Sequence, residues 1–315
     1  MTVRRVLLLA HTGRPEAREV ATAFVAALTE HGLVVRLLAN EAKELGLSPD
    51  EPGAMIETTE SETDASRDCE LTLVIGGDGS ILRAAEVTYA SGTPVLGVNL
   101  GHVGFLAEAE PEQVASTIAA VVQRNYTVED RLTLDVRVIR DGLLVTTTFA
   151  LNEASVEKAA RERMLEVVVE IDGRPLSRWG CDGVVCATPT GSTAYNFSAG
   201  GPIVWPQVEA LCLVPLSAHA LFARPMVVAP DSMIAIEVIA RTDGAGVLWC
   251  DGRRTVDLPP GARIEVRRGE HPVRLARLHQ APFTDRLVAK FDLPVEGWRG
   301  EGKRRLQRGT GAGPE

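Results

Sequence analysis

The sequence has no basic excess. Against 33 Lys and Arg stand 42 Asp and Glu, a formal charge of −9 over 315 residues. That balance argues against a nucleic-acid or acidic-membrane partner, either of which would need a broad basic face. Any anionic ligand must therefore be held locally. Long apolar runs are missing too: VLLLA (6–10) is too short for a signal-peptide core, and no segment approaches membrane-spanning length. The five cysteines (Cys69, Cys181, Cys186, Cys212, Cys250) are scattered and form no CxxC pair. They read as thiols in a reducing cytoplasm rather than a zinc site. Nothing resembles a dense metal-ligand cage, and no Gly-Lys-Ser/Thr follows the glycines to make a P-loop.

What is present is a core: 45% of the residues are hydrophobic, enough for two domains in a chain of this length. The first part alternates strand and helix signals. Val6 to Ala10 and Val34 to Leu38 read as strands, and Pro15 to His31 as a helix ending before Gly32. From Asn40 to Glu70 the chain is polar and acidic, and the pattern specifies no element. Further strands follow at Leu71 to Ile75 and Pro94 to Val98, with helices from about Ser80 and from Pro111 to Gln123. Such alternation implies a parallel sheet covered by helices. After Tyr126 the period becomes two. Asp-Gly pairs at 141–142, 172–173 and 251–252 signal hairpins, so residues from about 130 to 280 read as an antiparallel β domain. The expected division is 1–128 for the α/β domain, 129–281 for the β-rich domain, 282–298 for a helix returning to the first, and 299–315 for a disordered tail.

Two stretches carry chemistry. In LTLVIGGDGSILRAAEV (71–87) a strand runs into glycines and then into a helix, the point in an open α/β sheet where ligands bind. Gly76 and Gly77 let backbone amides approach a phosphate closely. Asp78 is the odd member, because a carboxylate there repels a phosphate. It suggests that a substrate hydroxyl is oriented or deprotonated beside that phosphate. An Asp followed by Gly can also simply cap a helix. The second stretch is LNE (151–153) with CDGVVCATPTGSTAYNFSAGGPIVWP (181–206), dense in hydroxyls and carrying Tyr195 for stacking. A plain Gly/Ser/Thr loop is the rival reading, against which its apolar edges count.

Together GGDGS (76–80), NLGHVGFLAE (99–108), LNE, the CDG to GGPIVWP segment, HALFARP (219–225), CDGR (250–253) and FTDRLVAKF (283–291) resemble the bacterial NAD kinases. GGDG is shared with other kinases, whereas TPTGSTAY after LNE is far more specific. The resemblance implies a Rossmann-like α/β domain and an all-β domain with the site between them. It also implies phosphorylation of the adenosine 2′-hydroxyl of NAD by ATP or polyphosphate, giving NADP. By the same analogy Asp78 accepts the ribose proton, Gly79 lies beside it on the ligand, and Asn152 and Glu153 hold the nucleotide. Arg83 matches a basic position that meets phosphate; the alternative is a solvent-facing helical arginine. Arg163 matches a basic or imidazole group near the ligand, and Asp182 an aspartate used for dinucleotide binding. Thr193, Ala194, Tyr195, Asn196, Phe197 and Ser198 match the lining of the adenosine and nicotinamide parts. His219 is a further candidate, although a lone His is more often structural. Ser80 stands where many relatives have Thr, and Gly180 where some have Arg. Magnesium would arrive with ATP, with no dedicated protein cage, and a homodimer or homotetramer in the cytoplasm is expected. The rivals are a lipid or sugar kinase sharing GGDG and a non-catalytic NAD(P)-binding sensor.

Overall fold

A computed structural model describes residues 3–50, 54–100, 104–107, 113–160, 163–241, 244–278 and 282–295. The apolar runs of the first half form β1 (Arg5–Ala10), β2 (Val34–Leu38), β4 (Leu71–Ile75) and β5 (Val95–Val98), with β3 (Ile56–Thr59) outside β2. Helices α1 (Pro15–Glu30), α2 (Ala39–Leu45), α3 (Asp78–Thr88) and α4 (Val114–Gln123) connect them. The strands lie in the order β3-β2-β1-β4-β5 and all pair in parallel. Successive residues of β1 point to opposite faces, as a strand requires. Val6 and Leu8 meet Phe24, Leu28 and Val121 from α1 and α4, while Leu7 and Leu9 meet Ile81, Ala84 and Ala85 from α3.

Two strands join this sheet from beyond the expected boundary. They are β6 (Thr127–Arg131) and β19 (Val273–Arg277), in the order β5-β19-β6. The period-two pattern groups most of their residues with the β half, yet hydrogen bonding ties them to the α/β sheet. Periodicity reports pleating and not which sheet a strand enters.

The remaining strands build two six-stranded antiparallel sheets. One has the order β11-β10-β15-β18-β7-β8, from β7 (Leu134–Arg140), β8 (Leu143–Ala150), β10 (Leu165–Ile171), β11 (Arg174–Cys181), β15 (Ile234–Val238) and β18 (Arg263–Arg268). The other has the order β14-β13-β12-β9-β16-β17, from β9 (Glu153–Lys158), β12 (Gly183–Ala187), β13 (Leu211–Leu216), β14 (Met226–Val228), β16 (Gly246–Cys250) and β17 (Arg254–Leu258). Val136, Val167, Ile236 and Ile264 of the first pack against Val156, Val184, Leu213 and Leu248 of the second. The Asp-Gly hairpins are all present, with Asp141, Asp172 and Asp251 and the glycines after them at positive φ, as type I′ turns demand. Helix α6 (Phe283–Phe291) follows β19. The expected disordered tail (299–315) and the opening of the helix at Pro111 lie outside the described residues.

Candidate functional site

The strand order fixes where a ligand fits. From β1 the chain moves to one side of the sheet and from β4 to the other, so a crevice opens at the carboxyl ends of these two strands. A cavity of about 640 Å³ lies there, lined by His11 to Arg14 after β1, by Gly77 to Ser80 after β4, and by Gly104, Arg253 and Lys290. Asp78, Gly79 and Arg83 all line it.

Asp78 is the first residue of α3. Its Oδ2 accepts the Phe105 N–H and its Oδ1 the Leu106 N–H, both at 3.2 Å. The 104–107 segment approaches so closely that a Cβ on Gly104 would collide with the carboxylate. At Gly76 a Cβ would strike the Ser80 hydroxyl, whereas Gly77 and Gly79 face open space. Arg83 is not the solvent-facing arginine of the alternative reading. Its guanidinium pairs with Glu41 at 2.7 Å and with Glu62 at 2.5 Å. Glu41 is 2% exposed and also accepts the Ala10 N–H. Burial raises its carboxyl above the ordinary range despite those bonds.

A second cluster sits on the β half. Asp251, in the hairpin turn after β16, accepts the Leu151 N–H at 3.0 Å and the Asn152 N–H at 2.7 Å. Arg254 balances it at 2.8 Å. This holds the LNE stretch against TPTGSTAY: Thr188 donates its hydroxyl to Leu151 O, and its backbone N–H bonds Asn152 O. Glu153 is 7% exposed and its Oε2 has no hydrogen-bond partner. Burial, with the nearby Asp251 charge, pushes its carboxyl up to about 8 from 4.5, against a hydrogen bond from the Tyr195 backbone.

The stretch 193–198 divides by face. It forms a short 3₁₀ turn (Gly191–Thr193) and α5 (Tyr195–Ser198). Asn196 is fully buried and its Nδ2 donates to Ser192 O and Pro202 O, so this expected lining residue faces inward and holds the loop's shape. Tyr195, Phe197 and Ser198 are exposed, and Thr193 and Ala194 half-buried. Asp182 is paired with Lys158 at 2.6 Å and half-exposed. Lys158 lowers its carboxyl, and Asp182 in turn helps raise the Tyr195 phenol, after burial and the carboxylates of Glu157 and Glu153. Neither Asp182 nor the exposed Arg163 lines the cavity around Asp78.

The two clusters are tied by contacts that the sequence pattern does not reveal. Glu86 of α3 pairs with Arg253 at 2.8 Å and Arg254 at 2.7 Å, and Tyr89 stacks on Phe149 with ring centroids 3.7 Å apart. Phe291 of α6 touches Phe105, in the 104–107 segment that holds Asp78, and Phe197 of α5. Residues His11 to Arg14 were a missed signal: a strand ending at Ala10, then Thr-Gly-Arg, then Pro15 opening a helix is the same strand-to-helix arrangement as GGDG. Among the described residues, no group of three or more His, Cys, Asp or Glu is placed to hold a metal ion, and no helix is long and apolar enough to cross a membrane.

Two family models match, the ATP-NAD kinase N-terminal domain over residues 6–126 and the ATP-NAD kinase C-terminal domain over residues 151–278. The chain is 60% identical over 311 residues to the NAD kinase of Thermobifida fusca, covering 96% of this chain and 94% of that protein. It is 54% identical over 305 residues to the NAD kinase of Mycobacterium bovis, covering 95% and 99%. Among solved structures, a yeast NADH kinase in complex with NADH has a TM-score of 0.84 at 25% identity, over 94% of this chain and 90% of that one. An Archaeoglobus fulgidus NAD kinase in complex with ATP has a TM-score of 0.65 at 24% identity, over 92% and 99%.

Proposed function

The chain belongs to the NAD kinase family and phosphorylates NAD to NADP, and from that premise we propose that the adenosine 2′-hydroxyl meets its phosphoryl donor in the cleft at Asp78. The observation that carries this reading is the setting of the Asp78 carboxylate, fixed by two backbone N–H groups and open to a cavity whose other charged groups, among the described lining residues, are cationic. Each carboxylate oxygen has a second lone pair, so the carboxylate can take a ribose hydroxyl without releasing the loop. The ribose oxygen attacks the terminal phosphorus of ATP, the bond to the ADP oxygen breaks, and the ribose proton passes to Asp78. In such a loose transition state the aspartate's first task is orientation.

The donor phosphates fit the wall formed by Arg14, Arg253 and Lys290 with the start of α1, where Pro15 opens the helix and no side chain caps it. Magnesium would enter with ATP and neutralise phosphate charge, held mainly by phosphate oxygens and water, because Asp78 is the sole carboxylate among the described lining residues. Asn152, Glu153 and the exposed rings of Tyr195 and Phe197 supply the polar and stacking contacts for the nucleotide. Arg163 and Asp182, which the cleft does not gather, fit a homodimer or homotetramer in which a second copy completes the pocket. Five unpaired thiols agree with a cytoplasmic enzyme.

The test is incubation of the purified protein with NAD, magnesium and either ATP or polyphosphate, followed by detection of NADP. The expected product appears with at least one donor, and a 2′-deoxy analogue of NAD binds but takes no phosphate. Phosphate found on that analogue, or on a lipid or hexose in place of NAD, would refute the assignment.

A further inference from the structure

Among the described residues, Glu41 is the least exposed charged side chain. It lies in the first turn of α2 and does not line the cleft at Asp78, yet it holds both walls of that cleft from behind. Its Oε2 accepts the Ala10 N–H at 2.9 Å, and its Oε1 accepts Arg83 Nη1 at 2.7 Å. The first bond completes the end of a strand. β1 pairs with β2 as far as Leu8 with Leu37, and the chain then leaves β2 for α2. The His11 N–H faces β4 and bonds Ile75 O, so the Ala10 N–H points to the side that β2 has left. A buried backbone donor without an acceptor costs as much as a lost hydrogen bond. Glu41 supplies the acceptor, at the residue just before the His11 to Arg14 wall.

The second bond fixes a cation on the facing wall. Arg83 lines the cleft from α3, the helix that Asp78 opens, and its Nη2 pairs with Glu62 while its Nη1 pairs with Glu41. The two carboxylates differ in kind. Glu62 is 53% exposed and can give up its place to water, whereas Glu41 is shut off from solvent. Two negative charges on one guanidinium repel an incoming phosphate, so the exposed one is the one to yield. A buried ion pair is a weak source of stability, and a carboxylate at this depth is explained instead by the position it gives Arg83. We propose that Glu41 is a positioning residue of the phosphoryl transfer: it holds Arg83 and the His11 to Arg14 wall at a fixed spacing, and a donor phosphate takes the Nη2 edge of Arg83 in exchange for Glu62.

A guanidinium recognises phosphate through N–H groups in a rigid plane, so its use depends on where that plane points. Without the Glu41 charge, Arg83 is drawn toward Glu62, which does not line the cleft. The inference rests on the donor phosphates lying in this cleft and adds which buried group prepares the wall for them. Glu41 itself touches no substrate and exchanges no proton with it.

Steady-state kinetics of the full chain, with NAD and the donor that yields NADP varied in turn, tests the role. Glu41→Gln keeps the size of the side chain and an acceptor for the Ala10 N–H, and removes the charge facing Arg83. Its KM for the donor should rise by about tenfold, with the KM for NAD held within about twofold. Glu62→Gln should lower the donor KM, because the phosphate then meets one competitor fewer at Arg83. An unchanged donor KM in either variant, a rise in both, or an equal rise in the NAD and donor KM of Glu41→Gln would overturn the proposal. Added to Arg83→Gln, Glu41→Gln should raise the donor KM no further, since one residue acts through the other; additive effects would show a merely structural role. Should Glu41→Gln fail to fold, Glu41→Asp, which keeps the charge but shortens its reach to Arg83, is read the same way. No NADP from the unaltered protein with any donor would refute the proposed reaction itself, whereas normal NADP formation with an unmoved donor KM refutes only the role of Glu41.

Discussion

The two loops proposed to meet the nucleotide are both made mostly of small residues, and they use them in opposite ways. In the 76–80 loop, Gly77 and Gly79 face open space, which on the proposed role of Asp78 leaves room for the reacting atoms. In the 188–198 loop, Thr188 and Ser192 are fully buried and bonded to backbone carbonyls of Leu151, Pro189 and Val204. There the small side chain replaces a solvent contact with a fixed internal one, and the loop becomes a rigid platform for Tyr195 and Phe197. Composition alone does not separate a reactive loop from a recognition loop. The distinction is whether each small residue creates space or fills it.

The largest effect should come from the open loop. Asp78→Asn is nearly isosteric yet cannot accept the ribose proton, and turnover should fall by about a hundredfold to ten-thousandfold while much of the NAD affinity remains. Near-normal turnover in the purified variant would remove Asp78 from this role. Changing Asn152 and Glu153 together to Ala strikes the platform side. Polar contacts of this kind contribute roughly 1.5 to 3 kcal/mol each, so NAD binding should weaken by at least about tenfold. Fold stability should hold, since Asp251 grips backbone N–H groups that the substitutions keep. An unchanged dissociation constant in a well-folded protein would confine the ligand to the α/β half.

Two smaller effects sharpen the contrast. Ser192→Ala strands the Val204 N–H, which now donates to the Ser192 hydroxyl at 2.9 Å; the cost should be about 1 to 3 kcal/mol of stability by urea denaturation. The same change at a residue that only makes room would cost little. Glu153 gives the subtlest test. Its folded carboxyl titrates near 8 and its unfolded one near 4.5, so between those values the folded state holds a proton that the unfolded chain has released. That contribution to stability is fully present below about 4.5 and lost as pH rises through about 8. Melting temperatures of Glu153→Gln and the unaltered protein should therefore converge toward acid and separate toward alkaline pH, the Gln form being the more stable there. Parallel profiles would show that the carboxyl titrates normally.

The legible parts of this fold were those where one residue type has one conformation to offer. Asp-Gly pairs gave hairpins, and the apolar runs of β1, β4 and β5 gave buried strands. The region from 40 to 70 was opaque for the converse reason. Its helix α2 is only seven residues and ends at Gly46, and its β3 is an edge strand with a single apolar residue, Ile56. Glu41 looks like a solvated acid and is instead a buried partner for Arg83 and for the Ala10 N–H. In the candidate site, Asp78 and the LNE stretch stand out in the sequence because their residue types are unusual for their surroundings. Asp251 and Asn196 were ambiguous: one serves a turn and also holds two amides of another strand, and the other sits in a binding motif but points inward. Long-range pairing of that kind leaves no periodic trace.

Helix α3 carries Asp78 at one end and, two turns on, Glu86 in the grip of Arg253 and Arg254. Eight residues at a rise of about 1.5 Å make an arm of about 12 Å. A tilt of about 5° at the Glu86 end therefore swings the carboxylate by about 1 Å, a misplacement able to cost roughly a hundredfold in rate. On the proposed role of Asp78, the arginine pair would thus set the angular tolerance of the reaction from a distance, and the two halves of the molecule could drift apart by only a few degrees before the chemistry registered it.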